Sequence, residues 1–135
     1  MASGIYNRAK ANWFNKVVDL EADIIHVALM ATGHAFDAAH NTWSQVVANE
    51  MAGTGYDAGG KALANKGVTQ AATTKWDADD IVWTVATFTA FHAVIYDNDL
   101  AGDDLICSID FGGGKSVSGG TFTIQWDAAG IITLT

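Results

Sequence analysis

The chain contains no proline in 135 residues, where average usage would place about six or seven. Strand ladders and helix interiors are thus free of the residue that breaks them, and every backbone donor is kept. Turn chemistry falls instead to fourteen glycines, helped by Asn and Asp. Cysteine is nearly absent too. The lone Cys107, in the apolar run LICSI, excludes an internal disulfide framework and fits assembly in a reducing cytosol. It is expected to be a buried inert thiol. No apolar run approaches the roughly 18 residues of a membrane-spanning helix; the best, IIHVALMA (24–31), is about half as long and carries His26. The opening MASGIYNRAKANW lacks an apolar core ahead of its charges and predicts no secretion signal. Basic residues are scarce, 7 against 15 acidic, for a net charge of −8. Repulsion from phosphate then argues against nucleic acid or an anionic membrane as partner.

What charge there is lies unevenly. Arg8, Lys10 and Lys16 precede the first acid, while acids cluster at Asp77, Asp79 and Asp80 and again at Asp97, Asp99, Asp103 and Asp104. An acidic body with a small basic end suits partner docking or head-to-tail contact. Residues 1–135 are the length of one domain, and half of them are apolar.

Residues 4–18 have a helical period, with Ile5, Ala9 and Trp13 one turn apart, Tyr6 and Val17 adding to the face, and Ser3 placed to cap the start. The segment 1–18 is expected to be a helical N-terminal end used in contacts. Ile24 to Ala31 predicts a central strand, apolar on both faces. A loop (32–42), an ambiguous WSQVVANEMA (43–52) and a possible strand at 63–70 follow, and TTKWDADD (73–80) has the composition of a turn. From Ile81 onward IVWTVATFT, AFHAVIYD, LICSIDF and GTFTIQW are strand-like runs set between turn residues, and DAAG has the size of a four-residue hairpin joining the last run to IITLT. The fold class expected is mainly β: an antiparallel β-sandwich or barrel with a short N-terminal α-helix.

The stretch GTGYDAGGKA (53–62) fits all but the last position of a phosphate-binding loop, with Gly55, Gly60 and Lys61 in place. Ala62 stands where the metal-binding hydroxyl belongs, and Gly67 follows too soon for the required helix. The looser dinucleotide fingerprint fails for want of a βαβ unit. DNDLAGDD opens like a calcium loop, but Ala101 and Ser108 occupy ligand positions. His26, His34, His40 and His92 have no zinc spacing, and no nucleophile elbow is present. The residues therefore predict no catalytic, metal or cofactor site and no enzyme. Among five tryptophans, Trp83 and Trp126 alternate with core residues, while Trp43 and Trp76 are candidates for an interface or a sugar contact.

Taken in order, YNRAKANWFNKVVDLEADIIHVALM, GTGYDAGGKAL, WDADDIVWTVATFTA, AVIYD and LICSIDFGGGKSVSGGTFTIQWDAAGIITL resemble a family of small structural proteins of tailed-bacteriophage virions. The Asp110–Ile131 ending is the most specific part. The resemblance implies a capsid decoration (cement) protein on the outer surface of the head, assembled in the host bacterial cytoplasm. Such a protein would bridge neighbouring major capsid subunits and associate with itself, a trimer being favoured. The alternatives are a tail or tail-fibre-associated protein, or a non-enzymatic sugar- or calcium-binding β module. Contact residues expected on this reading are Tyr6, Arg8, Lys10, Trp13, Trp43, Tyr56 and Trp76.

Overall fold

The computed structural model describes residues 2–135. The elements follow in the order β1 (Gly4–Ile5), α1 (Asn7–Phe14), β2 (Ile25–Met30), β3 (Lys61–Ala62), β4 (Gly67–Thr69), β5 (Thr74–Asp77), β6 (Ile81–Asp97), β7 (Leu105–Ile124) and β8 (Ile132–Leu134), with two short 3-10 turns at Trp43–Gln45 and Val47–Asn49 between β2 and β3. Every strand pairing is antiparallel. A five-stranded sheet runs β1-β7-β6-β2-β3 and a three-stranded sheet runs β4-β5-β8. The arrangement is sandwich-like, and the sheets do not close into a barrel.

β2 has the central position that its two-sided apolarity demands. Ile25, Val27 and Leu29 point into the main core with Trp76, Trp83, Ile95 and Ile106. Ala28 and Met30, on the opposite face, pack with Tyr6, Val46, Val94, Tyr96 and Leu105. The 3-10 segment covers that second face, and Trp43 stacks on Tyr96 with ring centroids 4.7 Å apart and planes 13° off parallel.

Several boundaries differ from those read in the sequence. The helix is shorter than 4–18, because Gly4 and Ile5 pair with Ser108 and Cys107 of β7 instead. Tyr6 occupies the N-cap, and Ser3 accepts the Asp110 backbone N–H at 2.8 Å. Lys16 stops the helix in the left-handed region at φ +57°. Its N–H donates to Trp13 O at 3.3 Å and the Val17 N–H to Asn12 O at 2.9 Å, the paired closure of a Schellman motif with lysine where glycine is usual.

TTKWDADD is not a turn. Its first half is β5, the middle strand of the small sheet, with Trp76 only 3% exposed and its indole N–H donating to Leu20 O at 2.9 Å. The runs 81–89 and 90–97 fuse into one 17-residue strand, and LICSIDF through GTFTI into one of 20. The glycines 112–114 lie inside β7, where Gly112 and Gly113 take φ of +76° and +143° and bend the strand without ending it. DAAG turns the chain, with Gly130 at φ +104° as its composition suggests. It is not a hairpin, because β8 crosses to the other sheet and pairs with β5.

Candidate functional site

The glycine-rich loop that resembles a phosphate cradle already holds an anion of its own. The Glu50 carboxylate accepts the Gly59 N–H at 2.7 Å and the Tyr56 hydroxyl at 2.6 Å through the same Oε2. Tyr56 Oη in turn accepts the Leu29 N–H of β2 at 3.0 Å. The Gly59 carbonyl accepts the Tyr96 hydroxyl at 2.5 Å, and His26 Nδ1 lies 3.1 Å from the same oxygen. Lys61 Nζ donates to the Val82 carbonyl. Donors that a phosphate would need are thus committed within the fold.

The glycines serve close approach. A Cβ on Gly53 would lie 2.6 Å from Phe88 Cβ, and one on Gly55 2.9 Å from Ala86 Cα. At Gly60, φ is +81° and a Cβ would lie 2.0 Å from the Val27 carbonyl oxygen. The loop is laid against the edges of β6 and β2, with Tyr56 as its anchor.

His34 and His40 of one loop gather with His92 of β6. His34 is 5% exposed, its Nε2 is 3.1 Å from Ser108 Oγ, and its ring meets His92 edge-on at 5.0 Å. His92 Nε2 lies 3.7 Å from Asp110 and His40 Nε2 3.9 Å from Asp37. Burial, then repulsion from His92 and His40, holds the His34 imidazole down at about 4, so it is neutral at pH 7. The Ser108–His34 pair has the chemistry of a nucleophile and base, but Ser108 is 2% exposed and no substrate can reach it. Cys107, fully buried, has its thiol pushed up to about 12 by burial and is unreactive.

The acidic loops act mainly as backbone caps. Asp80 accepts the Trp126 N–H at 2.9 Å, Asp99 the Ile24 N–H at 2.7 Å, and Asp97 Oδ1 the Asp99 N–H at 2.9 Å. Asp97 is wholly buried, and among the described residues no N–H or hydroxyl donates to its Oδ2, which leaves the neighbouring Asp23 carboxyl beside it. Burial, and then the neighbouring Asp23 carboxyl, raise its pKa to about 7. Among the described residues no three His, Cys, Asp or Glu side chains converge to hold a metal ion.

Three of the seven expected contact residues belong to the chain's own interior: Tyr6 is 0%, Trp76 3% and Tyr56 9% exposed. Each fills a core because its ring is needed there, Tyr6 beneath Phe36 at 4.9 Å and Tyr56 beside Trp83 at 6.1 Å. Trp43 spends one face on Tyr96. Arg8 leans toward Asp104 at 3.9 Å, a carboxylate that Asn12 also engages at 2.8 Å. Lys10 and Lys16 remain exposed on α1 and at its end, and Trp13 is half-buried.

Beside Trp13 lies a face that sequence reasoning missed. Val68, Trp76 and Ile132 pair across the small sheet, and Thr74 pairs with Leu134 in the next row on the same side. Trp13 and Leu20 close over this surface and leave two adjoining hollows of about 130 and 380 Å3, both walled by Trp13, Leu20 and Val68. Of the lining residues, Val68 and Leu134 are 45% and 56% exposed, and Phe14 and Val17, which neighbour lining residues in the chain, are 91% and 46% exposed. The signal in the sequence was split among segments around residues 13–20, 68, 76 and 132–134, and only Trp13 and Trp76 stood out.

Compared with known protein families, with curated proteins and with solved structures, the chain shows no significant match. The likeness to virion proteins therefore rests on the quoted motifs alone.

Proposed function

We propose that this chain is a structural protein of a tailed-bacteriophage virion, a decoration protein that sits on the head and bridges neighbouring major capsid subunits. It works through surfaces and not through turnover. The observation that carries the reading is the helical end: Lys10, Phe14, Lys16 and Val17 are exposed apolar and cationic side chains in a chain of net charge −8. Exposed apolar side chains close together in the chain with two lysines, as Phe14 and Val17 are, suit a contact surface. The motif resemblance supports the same class, and the commitment of Glu50, His34 and the acidic loops to the fold's own hydrogen bonds is consistent with it. Many weak surface contacts on a lattice add by multivalency, which suits a small domain of this kind.

A virion reconstruction with copy counting tests the proposal. Density for this chain on the outer shell, in numbers matching the capsid lattice, is the expected result. A ring-sized copy number at the tail would transfer the reading to a tail protein. Absence from purified virions, or a melting temperature raised by calcium or a glycan, would remove it.

A further inference from the structure

We infer that the outer edge of β7 between Ser118 and Ile124 docks an extended segment of another protein, which adds to the sheet as a strand. This inference goes beyond the virion reading and does not rest on it. β1 covers that edge only at Cys107 and Ser108, and among the described residues no further strand or isolated bridge reaches it. The opposite edge of the ribbon, on β6, is covered by the glycine-rich loop: the Thr87 N–H donates to Thr54 O at 3.0 Å, and Lys61 Nζ donates to the Val82 carbonyl. Those two bonds also fix which way β7 faces. Thr87 and Val82 direct their backbone groups away from β7, and in an antiparallel ladder the residue directly opposite then does the same. Ser118 and Thr123, paired with them, therefore turn their N–H and C=O groups to the open side. Both residues are exposed. Two usual guards of an open edge, charge and proline, are reduced in residues 111–124 to Lys115 alone.

The chemistry of the edge selects the occupant. A row of unpaired backbone donors and acceptors is matched by a polypeptide strand, and an adjoining recess chooses among side chains. Thr123 walls such a recess, a hollow of about 480 Å3. Ile109, Phe111, Phe122 and Ile124 supply its apolar walls, and no residue of β6 lines it. On a straight strand Asp110 and Thr123 would stand roughly 43 Å apart. Both line this one hollow, so β7 bends back on itself, and the Phe111 and Phe122 rings lie 6.3 Å apart. A strand laid along Thr123 thus meets a recess fit for an aromatic or branched aliphatic side chain. Two charged residues border it, Asp110 and Lys115. Asp110 is engaged: its Oδ1 accepts the Gly112 N–H at 2.8 Å and lies 3.7 Å from His92 Nε2. Lys115 has no partner among the described residues. It suits a strand with one acidic residue near the apolar anchor, since a more acidic segment would be repelled by a chain of net charge −8. A second copy is the poorer occupant, because it would bring the same cation to the same edge and a further −8 with it.

Selection from a displayed library of random decapeptides, with the full chain as bait, tests the docking. Enriched peptides should alternate apolar with polar residues and carry an aromatic or branched anchor and one Asp or Glu. Synthetic copies should bind saturably by fluorescence anisotropy. Thr123→Pro removes one edge-facing donor and should weaken binding at least about tenfold. Near-ultraviolet circular dichroism reports whether that variant keeps its fold. N-methylation of the peptide makes the same test with the protein unchanged: methyl groups on one set of alternate residues should abolish binding, and on the other set should leave it. Lys115→Glu should exchange the enriched acid for Lys or Arg. Val47→Asn, an exposed change in the second 3-10 turn, should leave binding as it was. No enrichment, enriched peptides that are proline-rich or of helical period, binding indifferent to both methylation patterns, or a self-paired dimer lost on Thr123→Pro would overturn the inference. Failure here leaves the virion location standing, and failure of the virion location leaves the strand-docking edge standing.

Discussion

At Gly60 a methyl group has nowhere to go. A side chain there must take a left-handed φ and meet the Val27 carbonyl of β2, a backbone atom that cannot swing aside. Gly60→Ala is therefore expected to cost about 3 kcal/mol or more, read as a lower urea midpoint. Gly67 offers the contrast, since it sits in β4 and a Cβ added there would meet nothing within 4 Å. Gly67→Ala should be neutral or stabilise by a few tenths of a kcal/mol. Equal effects at the two sites would contradict the close-approach account. The same comparison explains why the sequence invites a nucleotide reading. A glycine needed for contact with phosphate and one needed for contact with a neighbouring strand look alike in one dimension. Only the loop's partners, Glu50 and Tyr56, tell them apart.

Elements were legible where alternation is unbroken. β2 lies within one residue of its expected limits, and in the run GTFTIQW the alternating Phe122 and Ile124 share the core face. The lengths of β6 and β7 were not legible, because residues that bend a strand are those that end one. Register shifts interrupt the β6–β7 ladder at four places, and at the first of them Val85 takes φ +49°. This breaks the alternation that Ile81 and Trp83 begin, leaving Val85 75% exposed while Ala86 turns inward. A β-branched residue in the left-handed region is strained. Val85→Gly should relieve that strain and raise stability by about 1 kcal/mol, measured as a higher melting temperature. A loss of stability would show that the valine does more for the bulge than its backbone costs. β5 was hidden for another reason: three polar residues flank Trp76, and only the sheet around them reveals a strand.

Across the whole molecule, two buried titratable groups give opposite responses to pH. His34 is held neutral, with its pKa near 4 against an ordinary 6.5. Between those values the unfolded chain binds more protons, so this group's contribution is lost as pH falls through that window. Asp97 is raised from 3.8 to about 7, so the folded chain holds the extra proton and stability falls as pH rises through the interval. The two slopes oppose each other in wild type. Asp97→Asn should leave a melting temperature that climbs from about pH 4.5 to about 7, and His34→Gln one that declines over the same range. Parallel profiles for both variants would refute the assignment. Neither group was distinguishable in the sequence from its exposed neighbours, since burial is a property of the assembled sheets. The charge asymmetry of the N-terminal end, by contrast, was visible at once, and Lys16 and Trp13 do line the larger hollow. Its remaining walls come from segments too far apart in the chain to be associated by inspection.

β1 pairs with Ser108 and Cys107, and the Ala2 N–H reaches the Ile131 carbonyl at 2.9 Å. Residues at one end of this domain thus bind residues near its other end. While the domain is being made, the apolar β2 must stay incompletely covered until the later strands have followed it. Because the partners that stitch its two ends together are so distant in sequence, folding of this domain cannot finish until nearly all of it has left the ribosome. Protection of the unfinished chain, more than the stability of the finished one, then governs its yield in a cell.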